Sequence, residues 1–171
     1  MTFAIDTSVL HPSSRLGLAA LAWLAQRTEF DNALDMGCGS GVLSVMAAQL
    51  WAARILAVDI SENAVRDATQ VIDDHELTER ITVIRSDRFA HPAIATHAPY
   101  GLIMANMLDQ WLVEMATDMK KHLRPGGTII LSGLLEWLAA GTRQAYIDLG
   151  FEIQQEFSDS GWRAVIMAVK P

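Results

Sequence analysis

The chain of 171 residues is poor in several residue types, and each shortage excludes a class of protein. Its single cysteine cannot form an internal disulfide, which is consistent with a cytoplasmic chain. No apolar run reaches the ~20 residues that a membrane-spanning helix needs. The first residues have neither the basic region nor the long apolar core of a signal peptide. Internal repeats and low-complexity tracts are also absent from the sequence.

Basic residues are scarce as well, with 13 Lys and Arg against 20 Asp and Glu, for a net charge of −7. Because contacts to nucleic-acid phosphates normally need a basic face, this balance argues against a large duplex or ribosomal RNA as direct partner. The one basic cluster, residues 120–124, lies at a predicted helix end, where cations interact favourably with the helix dipole. The length and the 51% hydrophobic content predict one folded domain, residues 1–171.

The most informative segment that is present is a glycine-rich turn with the sequence LDMGCGSG, residues 34–41. A short apolar strand ends in an acid, glycines follow at alternate positions, and a helical pattern begins directly after them. Such a turn lets the backbone approach a bound cofactor closely. The GxGxG spacing differs from the GxGxxG of dinucleotide-binding proteins. Asp35 would repel phosphates but suits an ammonium and a sulfonium, so S-adenosylmethionine is favoured over NAD. The cofactor-binding candidates in this turn are Asp35, Gly37, Cys38, Gly39 and Gly41.

Two further acids follow predicted strands. Asp59 ends the apolar strand 54–59, and its carboxylate can accept both ribose hydroxyls of an adenosine. Ile60 is then expected against the adenine face. Asp87 follows the strand 81–85 and is expected to accept the adenine amine, with Arg88 beside it as a further cofactor-binding candidate. The alternative for each acid is a helix cap, although Ser61 can cap the helix after Asp59. Cys38 is interpreted as a small residue that fills the turn, with a thiolate nucleophile as the alternative.

Strand and helix patterns alternate along the chain, which is typical of a parallel α/β sheet. The fifth strand is predicted at residues 128–132, and the helix after it at residues 135–149. Residues 89–99 are predicted to form a loop carrying His91 and His97, which without neighbouring acids or cysteines make a poor metal site. The last two strands are joined by a short turn and are therefore expected to be antiparallel.

The order of these motifs resembles that of class I S-adenosylmethionine-dependent methyltransferases. The resemblance rests on DMGCGSG, on the acids of AVDIS and IRSD, on the helix stop LRPGG and on the terminal hairpin. It implies a Rossmann-like α/β fold whose seven-stranded, mostly parallel sheet has the order 3-2-1-4-5-7-6, with the last strand antiparallel and helices on both faces. Residues 1–28 are then expected to form a segment and a helix that pack over the cofactor site.

A narrower resemblance is to the PrmA-like family of bacterial ribosomal-protein lysine methyltransferases. It rests on HPSSRL, GLIMANML, LRPGGTIILSGLLE and GWRAVIMAVK. The resemblance implies that Ser8, His11 and Asn106 line the cofactor and target-amine site. Members of that family carry a separate N-terminal domain that docks the substrate, whereas only about ten residues precede His11 here. The sequence therefore predicts a retained catalytic half without the docking half.

Methyl transfer from a sulfonium is an in-line displacement. The protein is therefore expected to contribute mainly by aligning the nucleophile, the methyl carbon and the sulfur, and little by covalent catalysis. Asn106 and His11 are the catalytic candidates, and Asn106 is expected to hold the attacking amine. The alternatives are that Asn106 caps the next helix and that His11 is a satisfied histidine at a helix start. The sequence has no Pro-Pro-aromatic platform after Asn106, and Trp111 is expected on the side of the helix rather than in the pocket. These features favour an amine in a protein or a small molecule over one in nucleic acid.

Three alternatives remain open from the sequence. An RNA substrate is disfavoured by the charge and by the missing stacking platform. An NAD(P)-linked oxidoreductase is opposed by the glycine spacing and by Asp35. A catalytically silent subunit that binds the cofactor for a partner chain is the third. No membrane association and no metal site are predicted, and the sequence does not indicate the oligomeric state.

Overall fold

The computed structural model describes residues 10–170, which form a seven-stranded sheet with helices on both faces. The strands are β1 (Asn32–Met36), β2 (Arg54–Asp59), β3 (Ile81–Arg85), β4 (Tyr100–Asn106), β5 (Leu123–Leu135), β6 (Phe151–Asp159) and β7 (Trp162–Val169). Their order is β3-β2-β1-β4-β5-β7-β6, and β7 runs antiparallel to both of its neighbours. The predicted Rossmann-like fold, its strand order and its reversed last strand are confirmed.

Two helical layers bury the two faces of the sheet. The helices are α1 (Pro12–Ala25), α2 (Val42–Leu50), α3 (Glu62–Asp74), α4 (Pro92–His97), α5 (Asp109–His122) and α6 (Ala139–Asp148). The apolar side chains of α1, α2 and α3 form one core cluster with the sheet, and those of α4, α5 and α6 form the other. None of the helices in residues 10–170 combines the length and apolar character required to pass through a bilayer.

Two segments differ from the sequence-based prediction. β5 extends to Leu135, because its backbone pairs with β7 as far as the Leu135–Trp162 register, and α6 therefore begins only at Ala139. The predicted loop 89–99 contains part of a 3₁₀ turn, Arg88–Ala90, and the short helix α4. Pro92 is pre-organised for the first turn of α4, and the ring of His91 accepts a hydrogen bond from the Ala93 N–H at 3.1 Å. His91 is thus a helix cap.

A buried carboxylate joins three elements next to the end of β4. Asp109, the first residue of α5, accepts hydrogen bonds from the Leu135 N–H at 3.0 Å and from the Thr142 hydroxyl at 2.8 Å. These contacts tie α5 to the end of β5 and to α6. We expect Asp109→Ala to lower the free energy of unfolding by about 2 kcal/mol, because the buried Thr142 hydroxyl and the half-buried Leu135 N–H lose their acceptor. Urea denaturation measures this, with Thr142→Val as the variant that removes only one of the bonds. An unchanged midpoint for Asp109→Ala would contradict the assignment.

Candidate functional site

A cavity of about 550 Å³ opens where the carboxyl ends of β1, β2, β3 and β4 meet. This is the edge at which open α/β sheets bind ligands, and the volume lies within the ~300–1,000 Å³ typical of small-molecule sites. The lining residues are Met36, Gly37, Val58, Asp59, Ile60, Ser86, Asp87, Arg88, Asn106, Met107, Leu108, Trp111 and Met115. Five of the predicted site residues other than Asn106 are among them: Gly37, Asp59, Ile60, Asp87 and Arg88.

The glycine turn after β1 uses the conformational freedom of its glycines. Gly37, Gly39 and Gly41 all have positive φ angles, of 73°, 54° and 78°. The Gly37 and Cys38 N–H groups donate to the Val58 carbonyl at 2.8 and 2.9 Å, which holds the turn against β2. A Cβ on Gly39 would meet no atom within 4 Å, whereas one on Gly41 would lie 3.3 Å from Ala68 of α3. The turn is therefore packed against α3 at Gly41 and open to a ligand at Gly39.

Asp59 connects this turn to the start of α3. One carboxylate oxygen accepts the Gly39 N–H at 3.0 Å, and the other accepts the Ser61 N–H at 2.9 Å. The cap of α3 is Ser61 itself, whose hydroxyl accepts the Ala64 N–H. Since each carboxylate oxygen has a second acceptor position, the fixed group retains capacity for ligand hydroxyls. Ile60 follows on the cavity wall with 60% of its surface exposed.

Asp35 lies elsewhere than the sequence suggested. It is buried between β1 and α2, outside the cavity lining, and the Ser44 hydroxyl donates to its Oδ2 at 2.6 Å. Its Oδ1 has no hydrogen-bond partner among the described residues. Burial raises the pKa of Asp35 to about 6, against the lowering effect of Ser44, and the nearby Asp59 carboxylate adds to the rise. Asp35 is thus outside the cavity lining because its side chain faces α2, and its part in cofactor binding stays a prediction.

Cys38 is also buried in the glycine turn. Desolvation raises the pKa of its thiol, and the Asp35 and Asp59 carboxylates raise it further. A thiolate is therefore disfavoured at this position, because burial and two neighbouring anions both oppose the negative charge. These observations favour the interpretation of Cys38 as a small residue that fills the turn.

The far wall of the cavity is formed by the segment after β3 and by the first turns of α5. The Asp87 carboxylate is exposed and makes no capping hydrogen bond to the 3₁₀ turn that follows it. Arg88 has a positive φ of 50°, and its guanidinium lies 2.9 Å from Glu114 and 4.9 Å from the centroid of the Trp111 ring. Trp111 lines the cavity, so the expectation that it lies outside the pocket is wrong. The helical spacing of α5 could not indicate that Trp111 lines the cavity, because the cavity wall beside it is completed by Arg88, which lies in a different segment of the chain.

Asn106 ends β4 on the cavity wall, and its side-chain nitrogen donates to the Ser14 hydroxyl at 3.2 Å. The capping position of α5 is Leu108, which has no side-chain capping bond. The alternative that Asn106 caps this helix is therefore wrong. Two neighbours that sequence reasoning did not include, Met107 and Leu108, continue the cavity wall.

The two remaining predicted residues lie at the start of the chain. The His11 ring accepts the Ser13 N–H at 3.3 Å as the cap of α1, and it packs edge-on against Trp162 with centroids 4.8 Å apart. His11 is not among the residues that line the cavity, and its catalytic role stays a prediction. Ser8 lies outside the described residues. Within residues 10–170, no three His, Cys, Asp or Glu side chains cluster in a way that could hold a metal ion.

Comparison with known proteins identifies the family. The family model described as ribosomal protein L11 methyltransferase (PrmA) matches residues 8–170. This chain belongs to that family. A relative from Brucella suis, named ribosomal protein L11 methyltransferase, is 39% identical over 134 residues, which cover 78% of this chain and 47% of the relative. A Bradyrhizobium diazoefficiens protein of the same name is 34% identical over 157 residues, covering 92% and 53%. The chain thus spans about half the length of the curated relatives it matches.

Solved structures give the same fold for this member of the L11 methyltransferase family. A ribosomal protein L11 methylase from Lactobacillus delbrueckii superposes with a TM-score of 0.82 and 24% identity, covering 98% of this chain and 83% of that one. An RNA methyltransferase from Salinibacter ruber, in complex with S-adenosyl-L-homocysteine, gives a TM-score of 0.71 at 16% identity, covering 95% and 94%. At these identities the likenesses show the shared fold.

We expect the buried Asp35 to make the stability of this L11 methyltransferase-family chain depend on pH. Its folded pKa of about 6 lies above the ordinary 3.8, so the unfolded chain releases the proton first as pH rises. The folded state therefore binds more protons between about pH 4 and pH 6, and stability falls with rising pH across that window. The shift of about two units corresponds to roughly 3 kcal/mol.

We expect Asp35→Asn to remove this decline and to stabilise the ligand-free chain at pH 7 by about 1–2 kcal/mol. The gain is smaller than the full shift, since the asparagine keeps an acceptor for Ser44 but places a donor where Oδ1 lacks a partner. Urea denaturation at pH 4.5 and pH 7 measures the effect. Asp67→Asn, in which an exposed acid of α3 is neutralised, is the control. A variant less stable than the parent at pH 7 would refute the account.

Proposed function

We propose that this chain binds S-adenosylmethionine and transfers its methyl group to an amine, a lysine of ribosomal protein L11. The proposal rests on one observation, that Asp59 and Asn106 both lie on the wall of the same cavity. The Asp59 carboxylate is fixed by two N–H groups beside the glycine turn, and Asn106 lies at the end of β4 on the same cavity. The substrate class follows from the names of the relatives and from the resemblance to lysine methyltransferases.

The cavity residues fit this cofactor in shape and in charge. Gly39 leaves open space for the cofactor beside the turn, since a Cβ there would meet nothing within 4 Å. Asp59 would hold the ribose hydroxyls, and Ile60 would lie against the adenine. The exposed Asp87 carboxylate would accept the adenine amine. Asp35 lies outside the cavity lining, and its unpartnered Oδ1 would act on a cationic ligand only through its charge, from behind the turn.

The protein contributes alignment and electrostatics to the reaction. When bound, S-adenosylmethionine supplies a methyl group made electrophilic by its sulfonium. The Asn106 amide oxygen accepts an N–H of the target amine and so directs the nitrogen lone pair along the cavity. Positive charge develops on that nitrogen as it is alkylated, so the N–H···O bond strengthens during the reaction. The lysine ammonium must lose a proton to solvent before the attack, because only the neutral amine has a free lone pair. The methylated amine then keeps the developed charge as an ammonium, and S-adenosylhomocysteine would be the leaving group.

Calorimetry and labelled methyl transfer test the proposal in two stages. S-adenosylmethionine and S-adenosylhomocysteine are expected to bind, and NADH is not. With tritium-labelled S-adenosylmethionine, label is expected in purified ribosomal protein L11 and not in cellular RNA or small-molecule fractions. Binding of NADH alone would support the oxidoreductase alternative, and label in RNA would overturn the amine class. Cofactor binding without transfer to any fraction would identify a silent cofactor-binding subunit.

A further inference from the structure

We propose that Ser14 is a positioning residue for the transfer reaction, because it fixes which end of the Asn106 amide faces the methyl acceptor. The inference rests on the function proposed above. The side-chain nitrogen of Asn106 donates to the Ser14 hydroxyl at 3.2 Å, across 92 residues of sequence. Among residues 10–170, no other hydrogen bond involves this amide, and its oxygen accepts none. With the nitrogen held by α1, the oxygen is the end that receives an amine N–H.

Gly133 completes the pocket for this amide from the opposite side. It lies at an irregularity of β5, where the pairing with β7 shifts register between Ser132 and Leu134, and its φ is +80°. A Cβ on Gly133 would lie 2.8 Å from the Asn106 amide oxygen and 2.7 Å from the Met107 carbonyl, which is closer than real Cβ contacts allow. The absence of a side chain at this position therefore leaves space for the oxygen, while Ser14 holds the nitrogen.

The first turn of α1 is itself anchored, so the Ser14 hydroxyl is held in a fixed position beside the Asn106 amide. Arg15 forms an ion pair with Asp159 at the end of β6, and its guanidinium also donates to the Leu10 carbonyl at 3.0 Å. The His11 ring packs against Trp162 at the start of β7. The β6–β7 hairpin thus holds α1 in place from outside the cavity. The hairpin itself does not line the cavity, so its effect on Asn106 passes through α1 and Ser14.

Selective NMR labelling tests the contact without any activity assay. The sequence contains three asparagines, Asn32, Asn63 and Asn106, so ¹⁵N-asparagine labelling yields three side-chain amide pairs. Ser14→Ala is expected to shift the Asn106 pair, assigned by its loss in Asn106→Ala, and Ser14→Thr is expected to restore it. Ser13→Ala removes a hydroxyl from the same helical turn and is expected to leave the pair in place. An unchanged Asn106 pair in Ser14→Ala would overturn the proposal.

Kinetics with tritium-labelled S-adenosylmethionine and ribosomal protein L11 test the consequence. Ser14→Ala is expected to lower kcat about tenfold, the effect of roughly one hydrogen bond, with cofactor Kd unchanged and Ser14→Thr largely restored. In the Asn106→Ala background the same change is expected to have no further effect. Equal kcat in Ser14→Ala, or additive losses in the double variant, would overturn the positioning role. If the parent chain transfers no label, the proposed function fails, whereas the amide spectrum still reports the Ser14 contact.

Discussion

Asn106→Ala is expected to slow methyl transfer by about a hundredfold or more while leaving the affinity for S-adenosylhomocysteine nearly unchanged. The variant removes the amide oxygen that we propose accepts the amine N–H, and loss of one such preorganised group typically costs about 10²–10³ in kcat. The Asp59 carboxylate and its two backbone donors come from β2, the glycine turn and the start of α3, so we expect cofactor binding to change little when the Asn106 side chain is removed.

Single-turnover transfer to ribosomal protein L11 and calorimetry with S-adenosylhomocysteine measure the two effects separately. Asn63→Ala is the matched control, because Asn63 is an exposed asparagine of α3 away from the cavity lining. A fully active Asn106→Ala variant would show that the amide holds structure only, through its contact with Ser14. A large loss of cofactor affinity would instead assign Asn106 to the cofactor.

Asp59→Ala is expected to weaken binding of S-adenosylmethionine and S-adenosylhomocysteine by about 1–3 kcal/mol, which is roughly five- to more than a hundredfold. Two losses combine in this variant. The ribose hydroxyls lose a charged acceptor, and the N–H groups of Gly39 and Ser61 lose the carboxylate that orders the turn. The expected effect therefore lies towards the upper end of the range.

Titration calorimetry at fixed pH checks this result, and the exposed acid Asp67 provides a control of equal charge change, Asp67→Ala. Asp59→Asn separates the two contributions, since it removes the charge but keeps one acceptor oxygen near the turn. Unchanged affinity in Asp59→Ala would mean that the ribose binds elsewhere, and the assignment of the cavity would be wrong.

The two acids near the turn show why position along a strand matters. Asp59 is the last residue of β2 and reaches the cavity, whereas Asp35 precedes the last residue of β1 and is enclosed by α2. Burial raises the pKa of Asp35 to about 6, so the position along the strand, and not the residue type, separates the two acids.

Several elements of this protein could be predicted from short stretches of sequence. The strand pattern located β2, β3 and β7 at the bounds the structure shows, because strands read as short apolar runs between turns. Glycine spacing indicated the turn, since positive φ angles at three alternate positions favour that residue. The order of the motifs, through their resemblance to a known family, gave the sheet order.

The contacts between segments distant in sequence are seen in the tertiary structure and could not be predicted from local sequence. Trp111 lines the cavity, with Arg88 of another loop on its ring, and Asn106 bonds to Ser14 of the first helix. β5 extends beyond the predicted residues 128–132 because its backbone pairs with β7. Periodicity reports which face of an element is buried, but contacts between elements depend on how they pack. The cavity wall at Arg88 and Trp111 and the orientation of the Asn106 amide therefore form only once the sheet and both helical layers are assembled.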